Sequence, residues 1–370
     1  MDQQEFYKEL VHRYVTNQAT EEELETFFHL LESGEINAVL EAYLNEEAIR
    51  MAGEETEVVR RSSLLRRIAV AASVLIVLGV GLFVYQHNHQ KTNAKQIAQN
   101  DIPPGTNKAI LTLANGQKIV ITDAKRGTIA QQGAAQISKT ADGEIVYAEG
   151  EKPVSAEINM NTVETPVAAK TNITLSDGTK VWLDAESSIR FPASFSGGSR
   201  EVATTGQVYF EVAHDAKKPF KVSTKGQAVE VLGTHFNINA YDDEASIKTT
   251  LLEGSVRISD NAQTALLKPG QQAVVKNSIS VQQADVDEVT AWKNGDFVFN
   301  NENLQSIMRQ LSRWYDIQVT YKDNNTGSLR FGGLVSRSKN ISAVLSMMQS
   351  TGKIHFQING RRVMVIAGKE

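Results

Sequence analysis

The chain has 370 residues, a net charge of −5 and no cysteine. It therefore forms no disulfides and binds no metal through thiolates. Its seven histidines make no H-E-x-x-H pair, and no phosphate loop or G-x-S-x-G elbow appears, so turnover catalysis, a cofactor and a metal centre are not expected.

The charge is unevenly placed. Residues 1–65 hold fifteen Asp/Glu and five Lys/Arg, a net of −10. Such a surface disfavours direct nucleic-acid contact and suits a basic protein partner. Three amphipathic helices are predicted here. Phe6, Leu10, Val11 and Tyr14 recur at helical spacing. Thr20-x-x-Glu23 is a capping box ahead of Leu24, Phe27, Phe28 and Leu31. Ile36, Val39, Leu40, Tyr43 and Leu44 mark the third. Three short helices bury a marginal core, so part of their apolar stripe is available to a partner.

Residues 68–85 are eighteen positions without a charge. As a helix they rise roughly 27 Å, close to the thickness of a bilayer core. Arg60, Arg61, Arg66 and Arg67 precede the run, and the positive-inside bias then places the N-terminus in the cytoplasm. The expectation is a single-pass inner-membrane protein with a transmembrane helix over 66–86, a tether over 87–101 and a periplasmic C-terminus.

Strand patterns dominate the rest. NKAILTLANGQKIVI turns at Asn115-Gly116 and TNITLSDGTKVWL at Asp177-Gly178, each a type I′ hairpin signal. They define a hairpin-rich region over 102–160 and a β domain over 161–286, with Trp182, Phe210 and Phe236 expected in the core. Over 290–370 the order reads β-α-β-β-α-β-β, a compact α+β domain with both helices on one sheet face. The fold class expected is thus a multidomain membrane protein. It joins a small N-terminal α-helical domain, one transmembrane helix, a mainly-β antiparallel sandwich or roll, and a C-terminal α+β domain.

One dipeptide carries possible chemistry. In VLGTHFNI, Gly233-Thr234 lies between strand-like runs. A threonine hydroxyl beside a strained peptide bond can attack the preceding carbonyl, and glycine tolerates that strain. Taken from spacing alone, a Gly-Thr pair is an ordinary turn.

The ordered series of motifs resembles the FecR family of anti-sigma factors, of the Bacteroidetes type. The matching stretches are HRYVTNQATEEELETFF, PPGTNKAILTLANGQKIVI, LSDGTKVWLDAESSIRFPASF, QVYFEVAHDAKKPFKVST, VLGTHFNINAY, TTLLEGSV, LKPGQQAVV, AWKNGDFVF and IMRQLSRWYDIQV. The resemblance implies that residues 1–65 hold an extracytoplasmic-function sigma factor. It implies that the outer part is signalled by a TonB-dependent outer-membrane transporter of iron chelates or glycans through that transporter's N-terminal signalling domain. Site-specific proteases would then release the sigma factor to transcription. Leu10, Tyr14, Leu24, Phe27, Phe28 and Tyr43 are the expected apolar sigma contacts. Some members of the family cut themselves between the Gly and Thr of a V-x-G-T-x-F-like motif, which falls here on Gly233 and Thr234. The chain departs from the family at Thr165-Pro166-Val167-Ala168-Ala169, where T-P-R-G-G is usual, and at Gly206-Gln207-Val208, where G-E-A is usual. A competing reading is a membrane-anchored periplasmic binding module for a glycan or peptide with no role in transcription.

Overall fold

The computed structural model describes residues 2–15, 18–52, 101–149, 158–260, 263–323 and 326–368. It divides into two compact units, residues 1–87 and 88–370.

The first unit packs α1 (Gln3–Val15), α2 (Glu21–Glu32) and α3 (Asn37–Ala52). The capping box forms: Glu23 N–H donates to Thr20 Oγ1 (3.4 Å) and Thr20 N–H to Glu23 Oε2 (2.8 Å). These bonds satisfy two otherwise unpartnered backbone groups and fix where α2 begins. Tyr7, Leu10, Val11, Phe27 and Ile36 make a small core, with Leu30, Leu31, Val39, Leu40 and Tyr43 packed around it.

The second unit begins with a 19-stranded sheet. Its organising element is the strand Arg200–Glu211. The first half pairs with Ser187–Pro192 and Phe220–Thr224, the second with Lys180–Leu183 and His235–Ala240. The changeover falls at Gly206, with φ +77°. A β-carbon there would collide with Ser187 Oγ and lie 2.6 Å from Glu186 O. Glycine alone accommodates this bend, and the bend lets one strand serve both arms of the sheet. Both arms turn apolar residues inward on one core, among them Leu111, Ile173, Phe191, Phe210, Phe220, Phe236 and Ile258. Trp182 is only half-buried and lies outside this core.

The expected fold class is corrected here. The chain is mainly β, and its β part is one continuous curled sheet, not two sheets stacked as a sandwich. The strands over 106–149 belong to that same sheet. Nor is the pairing wholly antiparallel: Thr106–Asn107 with Ala169–Thr174, Ile145–Glu149 with Ala169–Thr174, and Arg200–Glu211 with Phe220–Thr224 run parallel. The physical reason is the long bent strand, which connects the arms through hydrogen bonds. Among the described residues no helix is long and apolar enough to cross a membrane. The run 68–85, with Arg60, Arg61, Arg66 and Arg67, lies outside the described residues.

The chain then forms α4 (Val286–Asn294), α5 (Leu304–Tyr315) and α6 (Ile341–Gln349) among five short strands. Helix α4, absent from the sequence reading, is capped by the Asp285 carboxylate and by Gly295 at φ +94°. The strands do not form the single sheet expected. Asp296–Asn303 pairs with Arg330–Ser336, while Arg362–Ala367 pairs with Gln318–Tyr321 and Ile354–Asn359. Both small sheets and helices α5 and α6 share one core around Leu304, Ile307, Leu311, Trp314, Ile341 and Val363.

A strap over residues 101–107 fastens this terminal part to the curled sheet. Asp101 accepts from Ser342 N–H (3.1 Å) and Ser342 Oγ (2.6 Å). Thr106 N–H donates to Ala168 O (2.9 Å), and Ala168 N–H to Arg313 O (2.8 Å). A β-carbon on Gly105 would lie 2.8 Å from the Trp314 ring, so the Pro103-Pro104-Gly105 sequence permits the close crossing.

Candidate functional site

Three places carry potential chemistry. The first is the aromatic face of the helical unit. Leu10 and Phe27 are buried within it, Phe27 at 1% exposure, while Leu24 and Tyr43 are half-buried. Tyr43 hydroxyl also meets His12 Nδ1 at 2.7 Å. Tyr14 and Phe28 are exposed, Phe28 at 50%, and Phe6 and Val15 are exposed as well. Tyr14 stacks on Phe27 at 4.0 Å and Phe28 packs edge-on against Phe27 at 5.7 Å. The expected contact set thus divides into an internal group and an outward pair, to which the structure adds Phe6.

The second place is Gly233-Thr234, in the connection from Gln227–Val231 to His235–Ala240. A β-carbon on Gly233 would lie 2.6 Å from His214 Nδ1, so the imidazole rests on the glycine's α-carbon. Gly254, at φ +91°, also approaches so closely that its β-carbon would lie 2.9 Å from both Gly233 O and Thr234 Oγ1. Thr234 is buried and its hydroxyl donates to Ser255 O (3.1 Å). The fully buried Arg200 secures the surrounding loop. Its Nη1 donates to Asp177 Oδ2 (2.8 Å) and Ala213 O (2.7 Å), and its Nε to Lys218 O (2.9 Å). Three separate strand ends therefore converge on one peptide bond. The sequence flagged Gly233 and Thr234; His214, Gly254 and Arg200 come from elsewhere in the chain and carried no local signal.

The third place is a polar cavity of about 480 Å³ between the curled sheet and the terminal part, lined by Asn237, Asn239, Lys248, Glu288, Glu302 and Arg309 among others. Burial pushes the Glu302 carboxyl above the ordinary carboxylate range, against the opposing hydrogen bonds from Ser306 and Gln310. Burial likewise raises Glu288, and the neighbouring Glu302 charge adds to it. Ion pairs close the cavity's inner wall. Arg337, 3% exposed, donates to Asp184 Oδ1 (2.6 Å) and Trp292 O (3.2 Å), with its guanidinium 3.9 Å over the Trp314 ring. Arg309 grips Glu244 with two bonds, and Arg313 reaches both Asp243 and Glu244. Among the described residues no cluster of His, Cys, Asp and Glu could hold a metal ion.

Comparison with known proteins places these features. Residues 161–257 match the family model described as FecR protein, and residues 296–365 the model described as FecR, C-terminal. Two crystal structures from Parabacteroides distasonis, of a protein assigned as an anti-sigma factor, are similar at 28% identity and a TM-score of 0.53. They cover 56% and 57% of this chain and 99% and 100% of their own. No curated protein matches the chain. The long bent strand lies within the first matched domain and the Arg337 ion pair joins it to the second, and on these matches the chain belongs to the FecR family of anti-sigma factors.

Proposed function

We propose that this FecR-family protein holds an extracytoplasmic-function sigma factor through helices α1–α3. In this reading residues 101–368 receive a signal from the signalling domain of a TonB-dependent transporter, and site-specific proteolysis then frees the sigma factor. The observation that carries the proposal is the outward aromatic set of Tyr14, Phe28 and Phe6 on a strongly acidic unit. Aromatic anchors supply the apolar centre of an interface, and the acidic surroundings steer a basic partner. The test is capture of the sigma factor encoded nearby by the full chain. Phe28→Ala should weaken capture about thirtyfold or more, by at least about 2 kcal/mol, while leaving helicity unchanged. Phe27→Ala should instead unfold the helical unit, since emptying a buried phenylalanine costs about 3–5 kcal/mol. Failure to capture any sigma factor, or capture indifferent to Phe28, overturns the proposal.

A second reading is favoured by the crowding around one bond. The chain cuts itself between Gly233 and Thr234. The pinch by His214 and Gly254 holds the bond where neither flanking glycine could be anything larger, and the nucleophile is in place next to it. Thr234→Ala should leave the chain in one piece where the parent runs as two. Identical fragments from both would refute it.

A further inference from the structure

We infer that His214 is the proton carrier for cleavage at Gly233-Thr234, an inference that rests on the self-cleavage reading above. His214 crowds the β-carbon position of Gly233, with its Cα at 2.7 Å, its Cβ at 2.8 Å and, at 2.6 Å, its Nδ1. Standard backbone geometry then puts that nitrogen within roughly 5 Å of the scissile carbonyl carbon, a span that one water or a small ring rotation closes. His214 is otherwise exposed to solvent. The other groups near the bond are otherwise engaged: His235, next to Thr234, turns its Nδ1 to Glu253 Oε2 at 3.2 Å. Ser255 offers only a carbonyl oxygen to the Thr234 hydroxyl. Arg200 stays charged, and its bonds go to Asp177 and to backbone carbonyls.

The step balances as follows. Thr234 Oγ1 releases its bond to Ser255 O and attacks the Gly233 carbonyl carbon, and its proton passes to His214. The C–N bond between Gly233 and Thr234 then breaks, with His214 returning the proton to the departing nitrogen. The product is an ester from Gly233 to Thr234 Oγ1 and a free amine on Thr234. Water opens the ester, leaving a carboxylate on Gly233 and restoring the hydroxyl of Thr234. His214 ends in its starting state.

Cell-free synthesis of the full chain, pulse-labelled and chased, reads the rate at which fragments 1–233 and 234–370 appear. His214→Ala and His214→Gln should each slow their appearance about 100-fold or more, within the usual range for general acid–base groups. Added imidazole should restore a substantial part of the rate to His214→Ala, where it can occupy the vacated space, and not to Thr234→Ala. A merely structural histidine would not be replaced by free imidazole. Cleavage of both His214 variants at the parental rate overturns the inference, and so does slow cleavage in His214→Ala that imidazole leaves unmoved. A parent chain that stays intact throughout overturns the self-cleavage reading itself, and this inference with it.

Discussion

Asp184→Ala should be among the most damaging single substitutions in the second unit. Asp184 and Arg337 are 153 residues apart in the chain, yet their side chains meet at 2.6 Å with exposures of 12% and 3%. At that separation an effective dielectric of about 20 gives an attraction of about 6 kcal/mol, before desolvation is subtracted. Removing the aspartate leaves the guanidinium buried, facing Trp292 O and the rings of Phe297 and Trp314. An uncompensated charge of this kind costs about 3–5 kcal/mol. For a unit of this size that lowers Tm by roughly 6–20 °C. Thermal and urea unfolding of residues 88–370, a compact unit, provide the assay. The cycle with Arg337→Ala should show strong coupling: the double variant should be less damaged than the two single losses combined. A loss below about 1 kcal/mol for Asp184→Ala, or strict additivity in the cycle, would refute the account of this pair as a buried ion pair.

Two smaller effects follow from the same interface. Ala168 holds φ +53°, and a left-handed alanine is strained by about 1 kcal/mol. Ala168→Gly should therefore raise the unfolding free energy of the second unit by roughly 0.5–1 kcal/mol, seen as a shift in urea midpoint. Glu302 carries a carboxyl raised above its ordinary value of 4.5, chiefly by burial. A raised carboxyl binds its proton more tightly in the folded state, so its favourable contribution is complete below pH 4.5 and is lost as pH climbs through the raised value. Glu302→Gln should thus match the parent near pH 4 and exceed it in stability at neutral pH, by unfolding titrations at several pH values. An advantage confined to acid pH would contradict the assignment.

The sequence read local features well and long-range ones poorly. Turns do fall at Asn115-Gly116 and Asp177-Gly178, but only the glycines are left-handed, at φ +84° and +85°, so these are not the type I′ turns expected: each is a three-residue loop, closed by Leu113 N–H to Gln117 O and by Leu175 N–H to Thr179 O. The capping box at Thr20 and Glu23 is equally local. Helix α4 carries little local signal although Asp285 and Gly295 bracket it, because its nine residues show only weak amphipathic patterning. Phe27 and Phe28 share one helical stripe in sequence, yet one fills the core and the other faces out, a distinction that the packing of α1 decides. Trp182 reads as core by composition, but it supports the Lys293 ammonium at 4.3 Å on a half-buried face. The curl of the sheet depends on one glycine at position 206 acting with both sets of neighbours, and no window of sequence contains both. The grouping of His214, Gly233 and Gly254 is a product of that curl in the same way.

The shared strand has a mechanical consequence. A cut after Gly233 would end covalent continuity between Gln227–Val231 and His235–Ala240. The severed piece would still be laddered to Arg200–Glu211 over six residue pairs, and Val256–Ser259 to Gln227–Val231 over three more. These ladders lie in opposite arms of the sheet, so neither can peel without load reaching the other. A nicked molecule would keep its shape at rest and come apart under tension. The strand through Gly206 would then act as a clasp, and the pull needed to open it would decide when the break is felt.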